Sequence, residues 1–138
     1  MKRLLLPVAS LLLFTSIGCH DYTTGLQKSV ERADETSAIA ALRNISTAER
    51  TFSVTNNGEY ATLQQLTDAG LIDSRFAQAR PLRDYILALN VSTGSFSCNA
   101  DPDPSKPLQG RHLYVDSTSG EIHVNPTQPA TAADPALQ

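Results

Sequence analysis

The spacing at which apolar residues recur changes once along this chain of 138 residues. This change limits the folds that the chain can adopt. Between Leu26 and Phe52 apolar residues recur every three or four positions, which is typical of an amphipathic helix. This face of the helix is formed by Ala38, Ile39, Leu42, Ile45, Ala48 and Phe52. From Tyr85 onward the period is two, as in half-buried strands. We therefore predict an α+β domain in which one long N-terminal helix packs on an antiparallel sheet.

Four strands are predicted in the second half of the chain, at residues 85–91, 95–98, 111–115 and 121–124. The turn that ends at Gly120 sets the last register, with Tyr114 opposite His123 and His112 opposite Asn125. On that register the aliphatic residues of this hairpin face the core. Residues 99–110 contain three prolines and are predicted to form a loop.

Between the long helix and the sheet, residues 62–70 are predicted to form a short helix, with Thr62 as its N-cap and Gly70 as its stop. Asp73 is predicted to cap one further turn at residues 74–78. The polar face of the long helix is predicted to be solvated. It carries Glu31, Arg32, Asp34, Glu35, Arg43, Glu49 and Arg50.

Residues 1–18 have the pattern of a bacterial signal peptide. Lys2 and Arg3 supply the positive start, and an apolar run through Phe14 follows them. This run, Leu4–Phe14, is eleven residues long, below the ~20 needed for a transmembrane helix. A cleaved signal is therefore predicted rather than a permanent span.

Cys19 follows this segment directly and allows three interpretations. In the first, Ser16-Ile17-Gly18-Cys19 resembles the lipoprotein signal of bacteria, in which the cysteine receives a diacylglyceryl group and becomes the N-terminus. In the second, an ordinary signal peptidase cuts before Cys19, which then pairs with Cys98 in an oxidising compartment. In the third, Cys19 is a small apolar residue of an uncleaved helix. The first interpretation is preferred, so Cys19 is the predicted lipidation site.

The remaining chain divides into a tether at residues 19–27, an α+β domain at residues 28–125 and a disordered tail at residues 126–138, rich in proline and alanine. Without residues 1–18, nine basic residues stand against fourteen acidic ones, a formal charge of −5. Such a surface repels phosphate, so we predict no nucleic-acid partner and no electrostatic attachment to anionic lipid. We therefore predict that the protein is attached to the membrane by its covalent lipid alone.

Four segments, SAIAALRNISTAERTF, NGEYATLQQLTDAGLID, DYILALNV and YVDSTSGEIHV, together resemble the globular heads of bacterial type IV pilins and type II secretion pseudopilins. In the helix the matching residues are Ala38, Leu42, Arg43, Ile45, Ala48 and Phe52. In the middle they are Gly58, Tyr60, Leu63, Leu66, Gly70, Leu71, Ile72 and Asp73. Tyr85, Asp116 and Gly120 match near the end. The resemblance covers about residues 35–125 and implies a long helix against a four-stranded antiparallel sheet.

The N-terminus departs from the pilin pattern, which has a Gly-Phe processing site, a glutamate five residues on and a continuous apolar helix. Here the apolar run ends at Cys19 and the next residues are polar. The resemblance therefore implies a pilin-like head that is anchored by lipid, a non-enzymatic interaction or accessory module near a type IV pilus or type II secretion apparatus. By analogy with enteric sorting, His20 in place of aspartate after the cysteine favours the periplasmic side of the outer membrane.

A different class of function is suggested by Asn99, Asp101, Asp103 and Ser105, whose alternating oxygens suggest a calcium loop. The glycine and terminal glutamate of an EF-hand are absent, so an exposed proline-rich loop is the simpler interpretation. The alternative function is thus a small soluble periplasmic protein that binds a ligand or calcium. His112 and His123 share a face with Tyr114, but zinc requires three or four ligands. No catalytic motif and no cofactor are predicted, and Cys98 is predicted to be a buried thiol.

Overall fold

One long helix lies against a four-stranded antiparallel sheet, which confirms the predicted α+β class. A computed structural model describes residues 20–78, 80–107 and 110–138. The helical segments are α1 His20–Thr55, α2 Leu63–Asp68 and a 3-10 turn at Ser74–Ala77. The strands are β1 Tyr85–Ser92, β2 Ser95–Pro102, β3 His112–Asp116 and β4 His123–Asn125, and they pair in that order.

The core lies between α1 and one face of the sheet, as the two periods predicted. Leu42 and Ile45 of α1 have no exposed surface, and Ala38 lets the helix approach the strands closely. Opposite them lie Phe96, Cys98, Ala100, Leu113 and Val115. Burial of each large aliphatic side chain stabilises the fold by roughly 1.5–3 kcal/mol.

The connection from α1 to the sheet begins with a turn at Asn57 and Gly58 and then follows the capping signals predicted at Thr62 and Asp73. Asn57 and Gly58 take positive φ values of 55° and 84° and end the helix. At α2 the Gln65 backbone N–H donates to the Thr62 hydroxyl, and the Thr62 N–H donates to the Gln65 side chain. Asp73 caps the 3-10 turn by accepting a hydrogen bond from the Arg75 N–H at 2.9 Å. A second, smaller core forms under α2.

The register predicted for the last hairpin is confirmed. Tyr114 pairs with His123 and His112 with Asn125. Asp116 holds the turn, because its Oδ1 accepts hydrogen bonds from the N–H groups of Thr118 and Ser119. Leu113, Val115 and Ile122 are buried as predicted.

The predicted end of β2 at Cys98 is wrong, since the strand continues to Pro102. Asn99 and Asp101 therefore lie in the sheet and not in a loop. Asn99 is paired on both sides, with Ala88 of β1 and Tyr114 of β3, and Asp101 pairs with Ile86 of β1. Backbone pairing on both flanks of Asn99, and with β1 at Asp101, outweighs the low strand propensity of asparagine and aspartate.

Helix α1 is already formed at His20, the first described residue, and so includes six residues that precede the predicted start. The part of the predicted tether that is described, residues 20–27, is therefore helical. The predicted lipidation site Cys19 and the predicted signal peptide lie outside the described residues.

The disorder predicted for residues 126–138 is not confirmed, since this tail packs back onto the sheet. The Val124 N–H donates to the Pro135 carbonyl, and the Leu137 N–H donates to the Ile122 carbonyl. Ala130 is buried, and Leu137 packs against the core. The tail is poor in large apolar residues, but the outer edge of β4 offers it backbone partners that composition does not reveal.

Candidate functional site

The N-terminal part of α1 is exposed over seven consecutive residues. Residues 24–30 are all exposed, and Leu26 and Val30 keep 53% and 47% of their surface in solvent. Over residues 20–33 a helix rises about 20 Å at 1.5 Å per residue. Among the described helices, none is long and apolar enough to cross a membrane. This stretch, which we call the stalk, begins at the residue that follows Cys19.

Two ion pairs join α1 to the head where the stalk ends. The Arg83 guanidinium lies 3.2 Å from the Asp34 carboxylate, which is almost fully buried. One residue further on, the Arg111 guanidinium donates two hydrogen bonds to the Glu35 carboxylate. The prediction that Asp34 and Glu35 are merely solvated is therefore wrong. Both carboxylates bind the segments that lead into β1 and β3.

The calcium candidates are spread over β2 and the residue beyond its end. Asn99 and Asp101 lie on the face of β2 that points away from α1, where the Asn99 amide donates to the Ala130 carbonyl at 2.9 Å. The Asp101 carboxylate lies 2.6 Å from the His112 Nδ1. Asp103 accepts a hydrogen bond from the Ser105 N–H, and the hydrogen bonds from Ser105 lower the pKa of the Asp103 carboxyl.

These candidates do not form a single cluster. Among residues 20–78, 80–107 and 110–138, no group of three or more histidine, cysteine, aspartate or glutamate side chains could hold a metal ion. Calcium binding stays a prediction, and calcium-dependent thermal stabilisation that is lost with Asp101→Ala and Asp103→Ala would support it.

The two histidines of the last hairpin share the outer face of the sheet, as predicted. His112 contacts Asp101, and the His123 Nδ1 lies 2.6 Å from the Asp134 carbonyl oxygen in the tail. The rings of Tyr114 and His123 meet edge to face at 6.3 Å. Each histidine thus has a protein partner, and His123 helps to hold the tail on the sheet.

Glu49 is a buried carboxylate, although the helical period predicts it on the solvated face of α1. Glu49 has no exposed surface. Its Oε2 accepts a hydrogen bond from the Ala61 N–H at 2.8 Å, while its Oε1 is buried without a partner among the described residues. Removal from water raises the pKa of Glu49, and the hydrogen bond from Ala61 opposes this only in part.

Cys98 is a free, buried thiol in the main core, as predicted. Burial, together with the nearby charges of Glu49 and Asp101, raises the pKa of Cys98 to about 12. A thiol of this kind is nearly all protonated at neutral pH, so it is a poor nucleophile. The structure gives it a packing role.

A groove was also missed, because its residues come from separate segments. It has a volume of about 370 Å³ and lies between the 3-10 turn and the start of β1. Phe76, Leu82, Ile86 and Leu87 supply apolar surface, and Arg75 and Arg80 supply positive charge. The Arg75 guanidinium lies 5.2 Å from the centre of the Phe76 ring. Alternation in β1 predicts the apolar strand but gives no sign of the arginines beside it.

Comparison with known proteins finds no family model, no curated protein and no solved structure that matches this chain.

Proposed function

We propose that this protein is a non-enzymatic lipoprotein of the bacterial envelope that holds a pilin-like head away from the membrane surface. Lipid on Cys19 anchors it at the periplasmic side, in the outer membrane. The head serves as an interaction or accessory module beside a type IV pilus or type II secretion apparatus.

The observation that carries the proposal is the unbroken course of α1. The helix is already formed at His20, the first described residue, which follows the proposed anchor in the sequence, and it continues into the core at Ala38 and Leu42. A rigid helix of this length fixes the distance between anchor and head, which a flexible tether would not do. The bridges at Asp34 and Glu35 attach the head where the free part of the helix ends.

The polar character of the stalk separates this role from that of a filament subunit. In pilins the N-terminal helix is apolar and packs in the filament core. Here residues 20–37 contain Asp21, Lys28, Glu31, Arg32, Asp34 and Glu35. Such a helix is suited to water rather than to a helix bundle, so the lipid supplies the attachment. Two or three acyl chains give stable binding, whereas a single chain binds only marginally.

The proposal is tested by metabolic labelling with radioactive palmitate followed by membrane fractionation. The wild type is expected to carry label and to sediment with the membranes, and Cys19→Ser is expected to carry none. Cys98→Ala is the matched control, because it removes the other cysteine and should keep the label. An unlabelled wild type, or equal labelling of Cys19→Ser, would reject lipid anchoring.

A further inference from the structure

The two edges of the sheet differ in what covers them. The tail pairs with β4 at Val124 through Pro135, and with Ile122 just before β4 through Leu137. Among the described residues no strand lies beyond β1, and only its first residue is bridged, through two hydrogen bonds between Leu82 and Tyr85. An open edge of this kind is a template for another strand.

The bridge at Leu82 also shows which backbone groups of β1 point outward. Since the N–H and C=O of Tyr85 face Leu82 rather than β2, alternation in an antiparallel pair turns the same groups of Leu87, Leu89 and Val91 outward. The strand YILALNVS contains no charged residue and no proline, the usual protection of an exposed edge.

The groove lies at this edge and not on either face of the sheet. Ile86 and Leu87 are neighbours in β1, so their side chains point to opposite faces, yet both line the groove. The space between them is therefore the side of the strand, where the outward N–H and C=O of Leu87 lie. Ile86 keeps 42% of its surface exposed there. Apolar surface and unpaired backbone groups thus occur together.

The charge beside the edge is positive on a chain whose formal charge is −3. The lining of the groove contains Arg75 and Arg80 and no acidic residue. Among the described residues, the acidic contact of Arg75 is a long one of 4.0 Å with the exposed Asp73, beside its stacking on the Phe76 ring, and Arg80 donates to the neutral Gln78 side chain. Exposed contacts of this kind contribute little, so both guanidinium groups are available to a negatively charged partner.

We propose that the edge of β1 binds an extended acidic segment of a partner protein, which joins the sheet as an additional strand. Backbone hydrogen bonds to Leu87, Leu89 and Val91 supply the affinity of this mode, and alternate side chains supply the specificity. Apolar residues of the segment fill the groove at Ile86, and carboxylates contact Arg75 and Arg80. The inference rests on the proposed role as an interaction module but not on the lipid anchor.

The test uses the purified full-length protein and a fluorescent peptide in which aspartate and valine alternate. A fluorescent peptide in which lysine and valine alternate is the control. Fluorescence anisotropy is expected to show binding of the acidic peptide that weakens as salt is added, and no binding of the basic one. The double variant Arg75→Glu/Arg80→Glu is expected to weaken binding about tenfold or more, because it reverses the complementary charges. The matched control Arg32→Glu/Arg43→Glu makes the same change of net charge on the exposed side of α1 and should leave affinity within about twofold.

Hydrogen exchange locates the bound peptide. The amides of Leu87, Leu89 and Val91 are expected to gain protection, and Ile86→Asp is expected to remove that protection while the head stays folded. The proposal would be overturned if the acidic peptide did not bind or if both peptides bound equally. It would also be overturned if the two double variants lost the same affinity, or if amides outside β1 gained the protection. Loss of palmitate label in Cys19→Ser alongside a failed peptide test would reject the docking site and leave the lipid anchor standing.

Discussion

The two parts of α1 share one helix but not one environment. In the stalk, residues 20–33, the side chains that the structure describes lie mostly in solvent, whereas from Asp34 onward one face of the helix is buried. Helices in proteins draw most of their stability from packing of an amphipathic face. The second part therefore holds the head together, whereas the first part contributes little packing to it.

The largest difference is expected from the same substitution made in each part. Leu42→Ala removes a side chain with no exposed surface and should lower the free energy of unfolding by about 3 kcal/mol. Leu26→Ala trims a side chain that is 53% exposed and should change that energy by less than about 0.5 kcal/mol. Urea denaturation measures both. A comparable loss in the two variants would mean that the stalk packs against the head.

Glu49 makes the packed part of the helix sensitive to pH. Its pKa is raised above the ordinary 4.5 in the folded chain, so the folded state binds more protons than the unfolded one between those two pKa values. This contribution to stability is fully present below about pH 4.5 and is lost as the pH rises through the folded pKa.

Glu49→Gln should remove this dependence of the free energy of unfolding on pH. The glutamine side-chain oxygen can still accept the hydrogen bond from the Ala61 N–H. At neutral pH the free energy of unfolding of the variant should equal that of the wild type or exceed it by up to about 1 kcal/mol. Glu31→Gln in the stalk is the control, and its profile should follow that of the wild type. Urea denaturation across a pH series checks this, and a wild-type profile in Glu49→Gln would assign the effect to another group.

The junction between the two parts is expected to give the smallest effect. Asp34 and Arg83 form a partly buried pair, and a double-mutant cycle with alanine should yield a coupling of about 0.5–1 kcal/mol. The exposed pair Asp73 and Arg75, at 4.0 Å, is the matched control and should give a coupling near zero. Equal coupling in the two pairs would show that Asp34 does not fasten the head to the helix.

The hairpin of β3 and β4 could be predicted closely from the sequence, because its residues alternate strictly and its turn carries a local signal at Asp116 and Gly120. The same holds for Thr62 and Asp73, whose capping partners lie within three residues. Short-range chemistry of this kind can be identified in one segment without knowledge of the rest.

Features that depend on distant residues were missed. Asn99 joins β2 because strands on both sides pair with it, and Glu49 is buried because the segment at Ala61 folds over it. The tail is ordered by the edge of β4, which exists only after the sheet forms. Composition could not reveal any of these. The groove was missed for the same reason, since Arg75 and Ile86 meet only in the folded chain.

Mass spectrometry of the protein isolated from membranes tests the central proposal most directly. An N-terminal peptide that begins at Cys19 and carries a diacylglyceryl group and an added acyl chain is the expected result. A peptide that begins at an unmodified Cys19, or an intact Met1 with the signal segment retained, would contradict the proposed anchor.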